Sequence, residues 1–274
     1  MRQFRGLLVG LTFFGILQPS LFGQATAVPK SSSSIPPVGL SVKPSGAPKI
    51  VFVVNGVGQS TLISDRLEMI TEANELKVKI QNVAWCRAGC SSLEHYKDHS
   101  GHLKAASAMA ARTSKIRKES PDTEIYYVGH STGARIALLA AEMAPEKSVN
   151  RIILIASAVG HTYDLRPALR ASRNGIDHFW SPEDEFLDLV AETHGLPDGS
   201  KGRAAGQVGF HVPAVKDGQG RDAYKNVRQF CWSDQKPVTG GHFAWTSKIA
   251  LKRFVVPMIV PQAASAPITA RLKR

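Results

Sequence analysis

Residues 129–133 read Gly-His-Ser-Thr-Gly, and they sit where the hydrophobic period of the chain changes. An apolar run that begins at Ile125 stops at Gly129. A helical pattern begins just beyond Gly133, with Ala134, Ile136, Ala137, Leu138, Leu139, Ala140, Ala141 and Met143. This spacing predicts a strand that turns sharply into a helix, with Ser131 strained and exposed at the turn. Gly129 and Gly133 make room where side chains would collide with neighbouring backbone. The helix N-terminus then aims free N–H groups and its positive dipole end at whatever Ser131 attacks. A Ser/Thr/Gly turn capping an ordinary helix has the same composition, but a buried-type strand leading straight into it argues against that reading.

The rest of the chain repeats the alternation. Ile50–Val54 is an apolar run ending in Asn55-Gly56-Val57-Gly58, as a buried parallel strand does. Ile63, Leu67, Ile70 and Ala73 then recur at helical spacing. Further strands are expected over 78–85, 151–157, 175–180 and 227–232. Helices are expected over 101–118, within 161–173, over 186–193 and from about Trp245. Gly195 to Asp222 is Gly-rich and without period. Strands alternating with helices predict an α/β fold: one mostly parallel sheet of about six strands with helices on both faces. The 274 residues suffice for one such domain, placed at 49–260, with a loose tail at 261–274.

With Gly129-His130-Ser131-Thr132-Gly133 in that setting, the stretch resembles the nucleophile elbow of the α/β-hydrolase superfamily. The resemblance covers approximately residues 49–260 and implies a minimal form of that fold. Only His161 to Gly175 separates two strands after the elbow, which leaves no room for a separate cap domain. The site is therefore expected to be open unless the 195–222 stretch folds over it. Lys201, Arg203, Lys216 and Arg221 on that stretch suit an anionic substrate, or simply a soluble loop.

The superfamily's triad runs Ser, then Asp or Glu, then His along the chain. Here Ser131 is followed by Asp184 and His242, each just beyond the carboxyl end of an expected strand, where sites gather in open α/β sheets. A serine hydroxyl is a poor nucleophile at its own pKa. His242 is expected to take its proton and Asp184 to fix the imidazole tautomer. Thr132 and Val57 are the expected backbone oxyanion donors, with Gly56 or Gly58 as substitutes for Val57, because Asn55-Gly56 stands where many relatives carry His-Gly. Glu183, Asp177 and Glu185 compete with Asp184, and His211 is the reserve base. His130 reads as a packing or hydrogen-bonding residue. No cofactor or metal is required: Cys86, Cys90, His95, His99 and His102 cluster in sequence, but their spacing matches no zinc pattern.

Arg2 and Arg5, the apolar run Gly6–Leu17, the Pro19-Ser20 break and Ala25-Thr26-Ala27 read as a secretory signal over 1–27. That implies an exported protein, periplasmic or secreted, with an uncleaved anchor as the alternative. Residues 28–48 are a Ser/Pro-rich linker. The net charge is +12, and losing the leader lowers it by two. No basic stripe interleaves with aromatics, so nucleic acid is not an expected partner. A small or lipid-like acyl substrate is expected, and the basic surface also suits electrostatic association with an anionic envelope. Export permits a disulfide. Cys86 and Cys90 could close a small loop, or all three cysteines could be thiols. The resemblance places the strand before Cys86 and the strand carrying Cys231 towards opposite sides of the sheet, which implies that any disulfide is Cys86–Cys90. The leading expectation is an exported serine esterase or lipase-like hydrolase. Its rivals are a catalytically silent envelope-binding protein of the same fold and an acyltransferase.

Overall fold

The computed structural model describes residues 46–58, 61–86, 94–211, 222–232 and 240–261. The expected signal, most of the linker, nearly all of the tail, Cys90, Lys216 and Arg221 lie outside them. Six strands form one fully parallel sheet: β1 (Lys49–Val54), β2 (Val78–Asn82), β3 (Glu124–His130), β4 (Arg151–Ile155), β5 (Ile176–Trp180) and β6 (Val227–Cys231). Their order is β2-β1-β3-β4-β5-β6, which is the α/β architecture expected from the sequence, at the expected strand number.

Alternation along each strand splits the core in two, because successive side chains leave a strand on opposite faces. Phe52, Val54, Ile125, Tyr127, Ile152, Leu154 and Ile176 face α2 (His99–Glu119), α3 (Thr132–Met143) and α4 (Arg166–Ala171). Val51, Val53, Tyr126, Val128, Ile153, Ile155 and Phe179 face α1 (Leu62–Ala73) and the C-terminal helical segment. Each large aliphatic side chain so buried contributes about 1.5–3 kcal/mol. A third, smaller cluster joins α5 (Glu185–His194) through Leu187 and Val190 to Tyr96 and Leu196.

Three local details differ from the sequence reading. The second strand ends at Asn82 rather than Trp85; beyond it the Trp85 indole N–H donates to the Asn55 carbonyl at 2.8 Å. The Gly-rich stretch contains a short helix, α6 (Ala205–Val208), packed on the sheet: Gly206 N–H donates to Ser157 O and Ser181 N–H to Gly206 O. The C-terminal helix does not run on from Trp245. A 3₁₀ turn (Ala244–Thr246) precedes Lys248–Ala250, a π turn (Leu251–Val255) and Val256–Ile259. Pro257 falls in the first turn of that last piece, where a missing N–H is tolerated.

Cys86 is disulfide-bonded. Cys231 lies on β6, at the opposite edge of the sheet from β2.

Candidate active site

The carboxyl ends of β1, β3, β5 and β6 carry the site. At the end of β3 the chain reverses into α3 through Ser131, which has φ 54° and ψ −123°. That conformation is costly for a residue with a Cβ. It is held from both sides: Ser131 N–H donates to Ile155 O at 3.0 Å, and Ser131 O accepts from the N–H groups of Ala134 and Ala158. The flanking glycines are sterically required. A Cβ on Gly129 would lie 2.7 Å from Ala134 Cα, and one on Gly133 would lie 2.1 Å from Val54 O. The side chain of Ser131 is 6% exposed and opens onto a cavity of about 390 Å³.

His242 lines the same cavity. Its Nδ1 is 2.8 Å from Asp184 Oδ2, and both residues are buried (7% and 1% exposed). The other carboxylate oxygen of Asp184 accepts from Leu187 N–H at 3.1 Å, so Asp184 is also the N-cap of α5. One carboxylate therefore fixes a helix start and an imidazole together. Asp177 is occupied elsewhere: buried in β5, it pairs with Arg151 at 2.8 Å and Arg228 at 2.6 Å. Glu183 accepts from Gly240 N–H at 2.6 Å and so ties down the loop that carries His242. Glu185 is exposed in the first turn of α5. His211 is exposed, and its backbone N–H donates to His161 O.

Val57 and Thr132 both line the cavity beside Ser131. Thr132 is the first residue of α3, where N–H groups have no partner within the helix. Gly56 also borders the cavity, with its Cβ position 3.0 Å from Ser131 Cβ. Asn55 holds this loop: its Oδ1 accepts from Ile63 N–H at 2.7 Å, and its Nδ2 donates to Asn82 Oδ1 at 3.0 Å.

His130 packs between the loop and His242. Its ring centroid lies 4.9 Å from that of His242 and 5.8 Å from that of Phe243. Burial, then the neighbouring His242 charge, push its pKa well below the usual imidazole range. A neutral His130 does not oppose a positive charge on His242.

Sequence reasoning missed the wall formed by α5. Phe186, Leu189, Val190 and Thr193 line the cavity, and Phe186 lies over the His242 ring at 4.7 Å. Phe186 and Leu189 are exposed by half or more, while Leu187 and Val190 are buried. The signal was present as residues at i, i+3, i+4 and i+7, a second face on a helix whose first face already met the core. Among the described residues the wall over the site is thus α5, and none of residues 195–211 lines the cavity.

Of the Cys/His cluster, His102 is buried, with its Nε2 3.0 Å from His95 O and its ring against Trp85. Arg135 Nη2 donates to His99 Nδ1. Among the described residues no group of three or more His, Cys, Asp or Glu side chains is arranged to hold a metal ion.

A strained serine between two sterically required glycines, at the carboxyl end of a central parallel strand, defines a class of protein. A family model described as the alpha/beta hydrolase fold matches residues 50–200, more than half of the chain, and the chain belongs to that family. No curated protein matches the sequence. Similar solved structures include a cutinase-like protein from Cryptococcus sp. (12% identity, TM-score 0.45, 80% of this chain and 98% of that one). Dienelactone hydrolase from Anabaena variabilis is similar at 18% identity and TM-score 0.39, over 69% and 74% of the two chains. A serine hydrolase without a lid from Xanthomonas campestris is similar at 17% identity and TM-score 0.39, over 76% and 81%.

Proposed function

We propose that the protein is an exported serine hydrolase that cleaves a carboxylic ester through Ser131, His242 and Asp184. The observation that carries this reading is the 2.8 Å contact between His242 Nδ1 and Asp184 Oδ2 at a cavity that Ser131 also lines. In this reading His242 Nε2 takes the Ser131 proton as Oγ adds to the ester carbonyl. Nδ1–H stays with Asp184, whose charge stabilises the imidazolium. The N–H groups of Thr132 and Val57 receive the oxyanion. Collapse breaks the ester C–O bond, and His242 gives its proton to the departing alcohol. Water, deprotonated by His242, then releases the acid from Ser131. The acyl part fits the apolar wall of Val57, Phe186, Leu189, Val190 and Phe243. Export rests on residues 1–27 alone; among the described residues no helix is long and apolar enough to cross a membrane.

A fluorophosphonate probe should label the purified protein, and Ser131→Ala should abolish labelling. The same substitution should lower turnover of chromogenic esters on the order of 10⁶-fold. A folded, unlabelled wild type that turns over no ester of any chain length would sink the proposal. Product analysis with added alcohol acceptors separates hydrolysis from acyl transfer.

A further inference from the structure

A second cleft of about 430 Å³ lies beside the cavity, and His194, at the end of α5, lines both. The character of the two differs sharply. The second cleft carries three cations, Lys97, Arg135 and Lys201, against one acid, Asp198.

Arg135 is the unusual member. It stands on α3 four residues past Ser131, about 6 Å along the helix axis, and is 4% exposed. Its Nη2 donates to His99 Nδ1, while its Nε is buried with no partner. Among the described residues no carboxylate lies within ion-pair distance of it. Asp198 and Glu142 act on it only from beyond ion-pair distance, and their hydrogen bonds come from other groups: Asp198 accepts from Gly160 N–H and the Ser200 hydroxyl, and Glu142 accepts from the Tyr163 hydroxyl. Arginines with a purely structural task look different in this chain. Arg117 donates to Ser148 O, Pro121 O, Thr123 O and Asn150 Oδ1, and buried Arg151 has Asp177. A guanidinium cannot shed its charge, and burying it without a counter-ion is costly unless something else supplies one. Lys97 and Lys201 are exposed at the same cleft, and no acid pairs with either among the described residues.

We propose that this cleft is an anion subsite, in which Arg135 forks onto an oxyanion and Lys97 and Lys201 close around it. The substrate is then an acyl ester that carries a carboxylate or phosphate on the part projecting past His194. This deepens, and rests on, the reading of Ser131 as an ester-cleaving nucleophile.

The test compares kcat/KM for the nitrophenyl monoester of glutaric acid, which is anionic, with that for the uncharged nitrophenyl valerate of equal chain length. The wild type should favour the anionic ester by about tenfold or more at low salt, and the preference should shrink between about 20 and about 500 mM NaCl. Arg135→Gln, and separately the exposed pair Lys97→Gln with Lys201→Gln, should each pull the ratio towards one. In parallel, glutarate and inorganic phosphate are compared with NaCl of equal ionic strength for their effect on Tm. Stabilisation by one or both, lost in the lysine pair, supports the subsite and separates carboxylate from phosphate as the preferred anion. A wild type that cleaves the uncharged ester at least as well overturns the subsite, as does a ratio unchanged in both variants. If neither ester is cleaved and Ser131 takes no fluorophosphonate, the hydrolase reading has failed. The thermal shift then decides the subsite alone, and no anion-specific shift overturns it.

Discussion

Asp184 illustrates how much one side chain can settle. Its two oxygens serve two masters, the Leu187 N–H at the start of α5 and Nδ1 of His242. Asp184→Asn keeps an oxygen for the cap but offers His242 an amide, which can present the wrong hydrogen-bonding group and so select the wrong tautomer. Ester turnover is expected to drop by about 10⁴-fold in kcat, with KM little altered. Far-ultraviolet circular dichroism should stay unchanged, because the cap survives. A drop of less than about tenfold would mean that another group orients the imidazole.

At the scale of elements, the contact between α3 and β1 determines whether the elbow forms. The helix lies so close to the strand that a Cβ on Gly133 would meet Val54 O at 2.1 Å and Asn55 O at 2.8 Å. Neither obstacle is a flexible side-chain tip, so Gly133→Ala must push the helix off the sheet. We expect a loss of about 1–3 kcal/mol in urea unfolding and a fall in kcat, because Ser131 moves with the helix. Gly46→Ala is the matched control: a Cβ there meets nothing within 4 Å, and the midpoint should not move. The α5 helix shows a different use of an element. Leu187 and Val190 bind it to the core, and Phe186 and Leu189 are left for the cavity.

For the molecule as a whole, buried histidines set the response to acid. His102 is pushed down to about 4 and His178 to about 3, both chiefly by burial, and His130 moves in the same direction. Once unfolded, each binds protons with a pKa of about 6.5. Between pH 6.5 and pH 4 the unfolded chain therefore holds more protons than the native one, and stability falls as pH falls. The slope is about 1.4 kcal/mol per pH unit for each histidine. Stability from this source is complete above pH 6.5 and is lost going down through the folded values. Urea midpoints at pH 7, 6, 5 and 4 measure it, and His102→Gln should remove about a third of the slope. A slope identical to wild type would show that His102 titrates normally in the folded protein.

The sequence by itself determined what depends on near neighbours. Six strands, the helices between them and the strand–turn–helix around Ser131 are written in short apolar runs and a 3.6-residue period, and local sterics enforce them wherever the chain goes. Chain order named Asp184 and His242 as candidates but left Glu183, Asp177 and Glu185 as rivals. Tertiary structure separated them: β4 and β6 bring two arginines to Asp177, Gly240 takes Glu183, and only Asp184 meets His242. It also chose α5 as the cavity wall and, among the described residues, left buried Arg135 without an ion-paired acid. These choices join residues tens of positions apart, so the order and register of the strands decide them, and no local pattern records that order.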